Sequence, residues 1–263
     1  MDSEFESEPT VLLAGDITVR FGGLVALEEV SLEVTTGCIA GLIGPNGAGK
    51  TTMFNVLTGL QAPTGGRVTY LGQDISRWPP HRRGRAGMAR TFQRLALFSR
   101  LTVHDNLVAS WESSHGGGVL GRGRAERIAR VAEVMDLLDL WPVADRPAGE
   151  LSTGKGRMVE LGRALCTDPR VLLLDEPGSG LDANETAVFS AVLRAIVSGG
   201  SDPRHPAVPP AILLVEHDMA LVMDVCASIT VLDFGKVIAR GTPDQVRADP
   251  IVRAAYLGDA SGF

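Results

Sequence analysis

Gly44-Pro45-Asn46-Gly47-Ala48-Gly49-Lys50-Thr51 has the spacing G-x-x-x-x-G-K-[ST], and it lies between an apolar run at residues 39–43 and a helix-like stretch at residues 52–57. That pattern is built for phosphate. The glycines let backbone N–H groups turn inward and approach phosphate oxygens, while the helix that follows adds its positive N-terminal end. Lys50 is predicted to reach the outer phosphates of a nucleoside triphosphate and Thr51 to ligate magnesium. The predicted nucleotide contacts are Gly44, Pro45, Asn46, Gly47, Ala48, Gly49, Lys50, Thr51 and Thr52.

Two further constellations sit at the ends of apolar runs. Val171-Leu172-Leu173-Leu174 feeds Asp175-Glu176-Pro177, placing two carboxylates at the C-terminal end of a buried strand, where doubly wound sheets bind ligands. Asp175 is predicted to hold magnesium, in part through its water shell, and Glu176 to polarise the attacking water beside the γ-phosphate. Residues 211–215 run into Glu216-His217-Asp218, which puts His217 at the tip of another core strand, within reach of the γ-phosphate. Leu151-Ser152-Thr153-Gly154-Lys155-Gly156 precedes a helix with Met158, Leu161 and Leu165 on one face, and Ser152 is placed to cap its start.

These groups need a frame. Residues 11–21 and 30–34 alternate as strands do, broken by Gly22-Gly23, and Val68-Thr69-Tyr70 reads as a short hairpin strand. Pro79-Pro80-His81-Arg82-Arg83-Gly84 reads as a turn and the start of a surface helix with solvated arginines. From residue 101 to 165 the character is helical, clearest at 127–140, where Ile128, Val131, Met135 and Leu138 form a core stripe that Trp141-Pro142 should end. The apolar runs at 171–175 and 212–216 suit buried parallel strands. About 125 residues separate Lys50 from Asp175, more than one crossover needs, so a helical subdomain is predicted inside the nucleotide-binding core. The expected organisation is a flexible lead at 1–10, an α/β core at 11–94 and 166–250, a helical subdomain at 95–165 and a tail at 251–263. The proline-rich stretch 199–210 reads as a flexible surface loop.

With 263 residues the chain can bury a large core without staples. A formal net charge of −6 argues against broad binding to nucleic acid or to anionic lipid, so no nucleic-acid partner and no lipid insertion are expected. Cys38, Cys166 and Cys226 are few and widely spaced, and read as reduced residues of a cytoplasmic protein. No apolar stretch approaches the roughly 20 residues that span a bilayer, and the first nine residues are acidic and polar, unlike a secretory signal. Any membrane contact is expected to run through a protein partner.

The order and spacing of the phosphate loop, Leu151-Ser152-Thr153-Gly154-Lys155 and Asp175-Glu176 resemble the ATP-binding subunits of ABC transporters, over residues 11–258. The family's Leu-Ser-Gly-Gly-Gln corresponds to Leu151-Ser152-Thr153-Gly154-Lys155, with Thr153 and Lys155 as departures. The resemblance implies a P-loop NTPase core of mostly parallel sheet with an antiparallel β flank and an inserted helical subdomain, using ATP and magnesium. It implies that Phe21 stacks on adenine, that Gln93 senses magnesium and the transporter, and that Asp182 reaches across a dimer interface. Ser152 and Gly154 would bind the γ-phosphate held by the opposite subunit, and His217 would be the switch histidine. The implied partners are membrane permease subunits and a second ATP-binding subunit, identical or paralogous, on the inner face of the cell membrane. Within the family, Ala89-Arg90-Thr91-Phe92-Gln93, Glu216-His217-Asp218-Met219 and Ala255-Tyr256-Leu257-Gly258 resemble the branched-chain amino-acid importer branch. The lipopolysaccharide-export ATPase is similar over much of the same length. A soluble non-transport ABC ATPase would carry two cassettes or a long coiled coil, and a GTPase or small-molecule kinase would leave Ser152-Thr153-Gly154 and His217 without a purpose.

Overall fold

The computed structural model describes residues 10–91, 95–115, 123–199 and 208–256. The chain opens with β1 (Thr10–Phe21) and β2 (Leu24–Thr35), two long antiparallel strands joined at Gly22-Gly23, where Gly22 takes a φ of 59° that suits a residue without Cβ. After β3 (Ile39–Ile43) and α1 (Lys50–Thr58) the chain returns as β4 (Gly65–Tyr70) and β5 (Gln73–Asp74). These complete a four-stranded antiparallel sheet in the order β2-β1-β4-β5.

The next elements are α2 (Pro80–Arg85), β6 (Met88–Arg90), α3 (Val103–His115), α4 (Arg124–Leu137), α5 (Thr153–Leu165), β7 (Val171–Asp175), α6 (Ala183–Val197), β8 (Ala211–Val215) and α7 (Met219–Val225). The described chain closes with β9 (Ser228–Asp233), β10 (Lys236–Gly241), α8 (Pro243–Ala248) and α9 (Pro250–Tyr256). The second sheet has six strands in the order β10-β9-β3-β8-β7-β6, parallel except for β10. The fold is therefore α/β, with a parallel core sheet and an antiparallel flank.

The continuous apolar runs of β3, β7 and β8 are explained by what covers each face. Alternate residues point to opposite sides of a strand. Leu172, Leu174, Ile212 and Leu214 pack into a cluster with residues of α3, α4, α5, α6 and α7, whereas Val171, Leu173, Leu213 and Val215 pack against α1 and the antiparallel sheet. Both faces are dry, so these strands are apolar throughout except for Asp175, which ends β7 at the sheet edge.

Three sequence expectations need correction. Arg83 is not solvated: it is 2% exposed, and its guanidinium donates to the carbonyls of Val56, Leu57, Ile75 and Trp78, tying α2 to the end of α1. Ile128 does not belong to the core stripe of α4, because it is 56% exposed while Val131, Met135 and Leu138 are buried. That helix also ends before Trp141-Pro142: it stops at Leu137, and Asp139 takes a left-handed φ of 48°. A left-handed residue turns the chain out of the helix, as aspartate tolerates better than most. Pro142 instead lies in a single 3-10 turn, Trp141–Val143. The loop predicted at 199–210 is described only at Gly199 and at 208–210.

Candidate active site

β3 delivers the chain into the phosphate loop. Gly44, Gly47 and Gly49 all have positive φ, and a Cβ on Gly44 would lie 2.1 Å from the carbonyl oxygen of Leu232. Glycine is required at Gly44 by close approach, and at Gly47, where the surroundings are open, by backbone conformation. α1 follows with Gly49 as its N-cap and no side chain capping it, so its first N–H groups face the concavity of the loop. Lys50 is buried, and its Nζ donates to the carbonyl oxygens of Gly44 at 2.5 Å and Pro45 at 3.1 Å. Thr51 is exposed and Thr52 half-buried on the first turn.

β3, β8 and β7 are neighbours, with Leu42 opposite Val215 and Val215 opposite Asp175, so their C-terminal ends open at one edge. Asp175, the last residue of β7, is buried, and its Oδ2 is paired with Arg90 Nη2 at 3.0 Å. Burial raises its pKa above the ordinary carboxyl value and the Glu176 charge adds to that, while the hydrogen bond and charge of Arg90 oppose both. Glu176 follows with a left-handed φ of 48°, a conformation that turns its side chain away from the strand direction, and its N–H donates to Val215 O at 2.8 Å. His217 Nδ1 lies 3.9 Å from Glu176 Oε2, and its side chain is half exposed. The edge thus collects a lysine, two carboxylates and an imidazole beside a loop of backbone donors. Thr51 and Asp175 supply hard oxygen atoms of the kind magnesium takes. Gln93 lies outside the described residues.

Three residues here escaped sequence reasoning. Arg90 holds Asp175, lies over the Phe54 ring and donates to Thr58 Oγ1 at 3.3 Å. Its only sequence signal is a cation ending a short strand. Glu216 has no exposed surface, yet it is charged by type; its carboxylate accepts from the N–H groups of Gly178, His217 and Asp218. Burial raises its pKa, and those three hydrogen bonds oppose the shift. The third is Glu185.

Ser152 caps α5 by accepting from the Lys155 N–H at 3.3 Å. Asp182 caps α6 in a capping box with Glu185: Asp182 Oδ1 accepts from Glu185 N–H at 2.8 Å, and Glu185 Oε2 accepts from Asp182 N–H at 3.2 Å. The two helix starts meet. A Cβ on Gly154 would fall 2.2 Å from Glu185 Oε1, and Thr153 Cγ2 lies 3.2 Å from where a Cβ of Gly180 would be. The described contacts of Ser152 and Asp182 lie within their own helix starts, and Gly154 lies against Glu185 of the other. Lys155 reaches Asp139, donating to its backbone oxygen at 3.0 Å. Phe21 ends β1 half exposed.

Comparison with known proteins gives consistent likenesses. Residues 27–179 match the family model described as ABC transporter, and residues 236–261 match that of the branched-chain amino acid ATP-binding cassette transporter. The chain is 38% identical, over 97% of its length and 100% of the relative's, to the high-affinity branched-chain amino acid transport ATP-binding protein BraF of Pseudomonas aeruginosa. It is 37% identical, over the same shares, to the corresponding protein LivG of Escherichia coli. Its fold matches the crystal structure of the ADP conformation of MJ1267, an ATP-binding cassette of an ABC transporter, with a TM-score of 0.81 and 28% identity over 95% of this chain and 100% of that one.

Proposed function

Because the chain belongs to the ABC transporter family of ATP-binding subunits, we propose that it powers a branched-chain amino-acid importer by hydrolysing ATP at the edge formed by β3, β7 and β8. One observation carries the reading: the phosphate loop, Asp175, Glu176 and His217 converge on that edge, with Glu176 Oε2 and His217 Nδ1 3.9 Å apart. The cofactor-binding residues are Gly44 to Thr52, with Lys50 on the outer phosphates and Phe21 against adenine. Thr51, Asp175 and Gln93 would hold magnesium, which when bound offsets phosphate charge. Arg90 must then share Asp175 with the ion. Glu176 polarises the attacking water, and His217 donates to the γ-phosphate.

Ser152, Gly154 and Asp182 serve a partner subunit. At the start of α5 the Ser152 side chain caps the Lys155 N–H, and the Thr153 and Gly154 N–H groups before it suit an anion arriving from outside the chain. Two such subunits, identical or paralogous, then close head to tail on two ATP molecules, and hydrolysis reopens them. A cleft of about 690 Å³ lies between β6 and the helices α3 and α5, lined by Ala89, Arg90, Ser113, Glu160 and Arg163. A permease segment seated there would feel the helices move against the sheet, and the subunit would work at the cytoplasmic face of the membrane. Among the described residues no helix is long and apolar enough to cross a membrane.

The importer assignment rests on the match of residues 236–261 and on the two relatives. Uptake of labelled leucine by cells deleted for this chain tests it. Loss of uptake, restored by the wild-type chain and not by Glu176→Gln, is expected. Unchanged uptake in the deletion strain would sink the importer reading.

A further inference from the structure

Glu216 is the one described carboxylate with no exposed surface that the proposed chemistry leaves unused. Burying an ionised carboxylate costs several kcal/mol unless its oxygens are satisfied. Here both oxygens accept hydrogen bonds from backbone, and His217 Nδ1 stands 4.0 Å from Oε2, beyond hydrogen-bond range. Oε1 accepts from the Gly178 N–H at 2.6 Å, two residues beyond Glu176, and Oε2 accepts from the His217 N–H at 3.1 Å and the Asp218 N–H at 3.4 Å. We infer that Glu216 is a positioning residue: a clasp that joins the loop carrying the water-polarising Glu176 to the strand tip carrying His217.

The inference rests on the roles proposed above for Glu176 and His217. The 3.9 Å between Glu176 Oε2 and His217 Nδ1 is too long for a hydrogen bond, so no direct bond between them sets their spacing. Their backbones set it. Glu176 N–H to Val215 O ties the loop at one point, and the Glu216 carboxylate ties it again beyond Pro177. A Cβ on Gly178 would fall 2.9 Å from Glu216 Oε1, so glycine at Gly178 serves this contact.

Carboxylate is the group this junction requires. It offers acceptors at both ends and no donor, while glutamine of the same size turns one end into an NH2 facing an N–H. A hydroxyl is too short to span both segments. Glutamate thus accepts the cost of burial in exchange for two-ended acceptance, and what it holds fixed is the gap in which a water and a γ-phosphate must align. Misplacement by about 1 Å at such a gap slows chemistry by roughly 100-fold without touching nucleotide affinity.

The test uses the purified full chain with Glu216→Gln, Glu216→Ala, and Glu176→Gln as reference. For each, kcat and KM for ATP are measured per folded molecule, together with the Kd of a fluorescent ATP analogue and the thermal unfolding midpoint. Glu216→Gln should lower kcat by about 10-fold or more while KM and Kd stay within about 2-fold, the split that marks lost transition-state alignment, and Glu216→Ala should fall further. Should the alanine variant fail to fold, the glutamine variant decides. Wild-type kcat per folded molecule in Glu216→Gln, with only the unfolding midpoint lowered, would overturn the clasp. So would a rise in KM at constant kcat. Wild-type turnover in Glu176→Gln would instead remove the site reading itself, and an idle Glu176→Gln beside a fully active Glu216→Gln would remove the clasp alone.

Discussion

Gly154→Ala is expected to act through Glu185. Gly154 is the second residue of α5, and its φ is not in the left-handed region, so its backbone accepts any residue. Space forbids it. The new Cβ would lie 2.2 Å from Glu185 Oε1, 2.4 Å from Cδ and 3.0 Å from Cγ. The glutamate must swing away, which breaks its bond from the Asp182 N–H and leaves half of the capping box. Loss of a cap interaction costs about 0.5–2 kcal/mol, and crowding that the swing does not relieve adds to it within the roughly 1–3 kcal/mol typical of overpacking. Alanine returns at most about 1 kcal/mol in helix propensity. The net expectation is a loss of about 1–2 kcal/mol. Glu185→Ala alone should cost about 1 kcal/mol, as one side of the box. In the double variant the collision is gone and the cap is already lost, so Gly154→Ala should cost nothing and return at most about 1 kcal/mol of helix propensity, a coupling of about 1–3 kcal/mol. Urea denaturation of the four proteins measures it, with ATPase rates recorded in parallel. A double variant less stable than Gly154→Ala alone, with the two costs adding, would refute the collision.

Lys50→Ala should weaken ATP binding by about 1.5–3 kcal/mol, one charge-assisted hydrogen bond, read by titration calorimetry; unchanged affinity would contradict the assignment. Arg83→Met removes donors from three buried carbonyls and a part-buried one and should destabilise the chain by about 3–5 kcal/mol in denaturant, whereas a loss under about 1 kcal/mol would show that water replaces the guanidinium. Asp175→Asn should melt higher than wild type at pH 7 without magnesium. The sign follows from burial: a carboxyl whose native pKa is raised contributes stability below its ordinary value of about 4 and loses it as pH rises through the native value, so the ionised form is a burden at pH 7 that the amide lacks. The gap should close as pH falls through the carboxyl range; an asparagine variant that melts lower at pH 7 would mean the Arg90 pair outweighs burial.

What was legible in the sequence is what repeats or is spaced by geometry. The phosphate loop carries its own signature, and the short, unbroken apolar runs of β7 and β8 suit strands dry on both faces, as the division of Leu172 and Leu174 from Val171 and Leu173 between two core clusters bears out. The helix of Val131 and Met135 was visible by period, but its end was not, because a left-handed Asp139 has no pattern to announce it. Ser152 as a cap was readable from local order. The residues that escaped are of another kind. Arg83, Glu216 and Glu185 are charged, and charge reads as solvent exposure, since an unpaired ion inside a protein is costly. Their partners are backbone groups: the carbonyls of Val56 and Ile75, the N–H of Gly178, the N–H of Asp182. Every residue but proline carries both groups, so a partner of this sort leaves no trace in residue type. A buried ion pair can be guessed from two opposite charges. A buried ion satisfied by main chain can be found only once the folded chain shows which amides point inward, and at Gly178 and Gly154 the missing Cβ is the one mark such a contact leaves in the sequence.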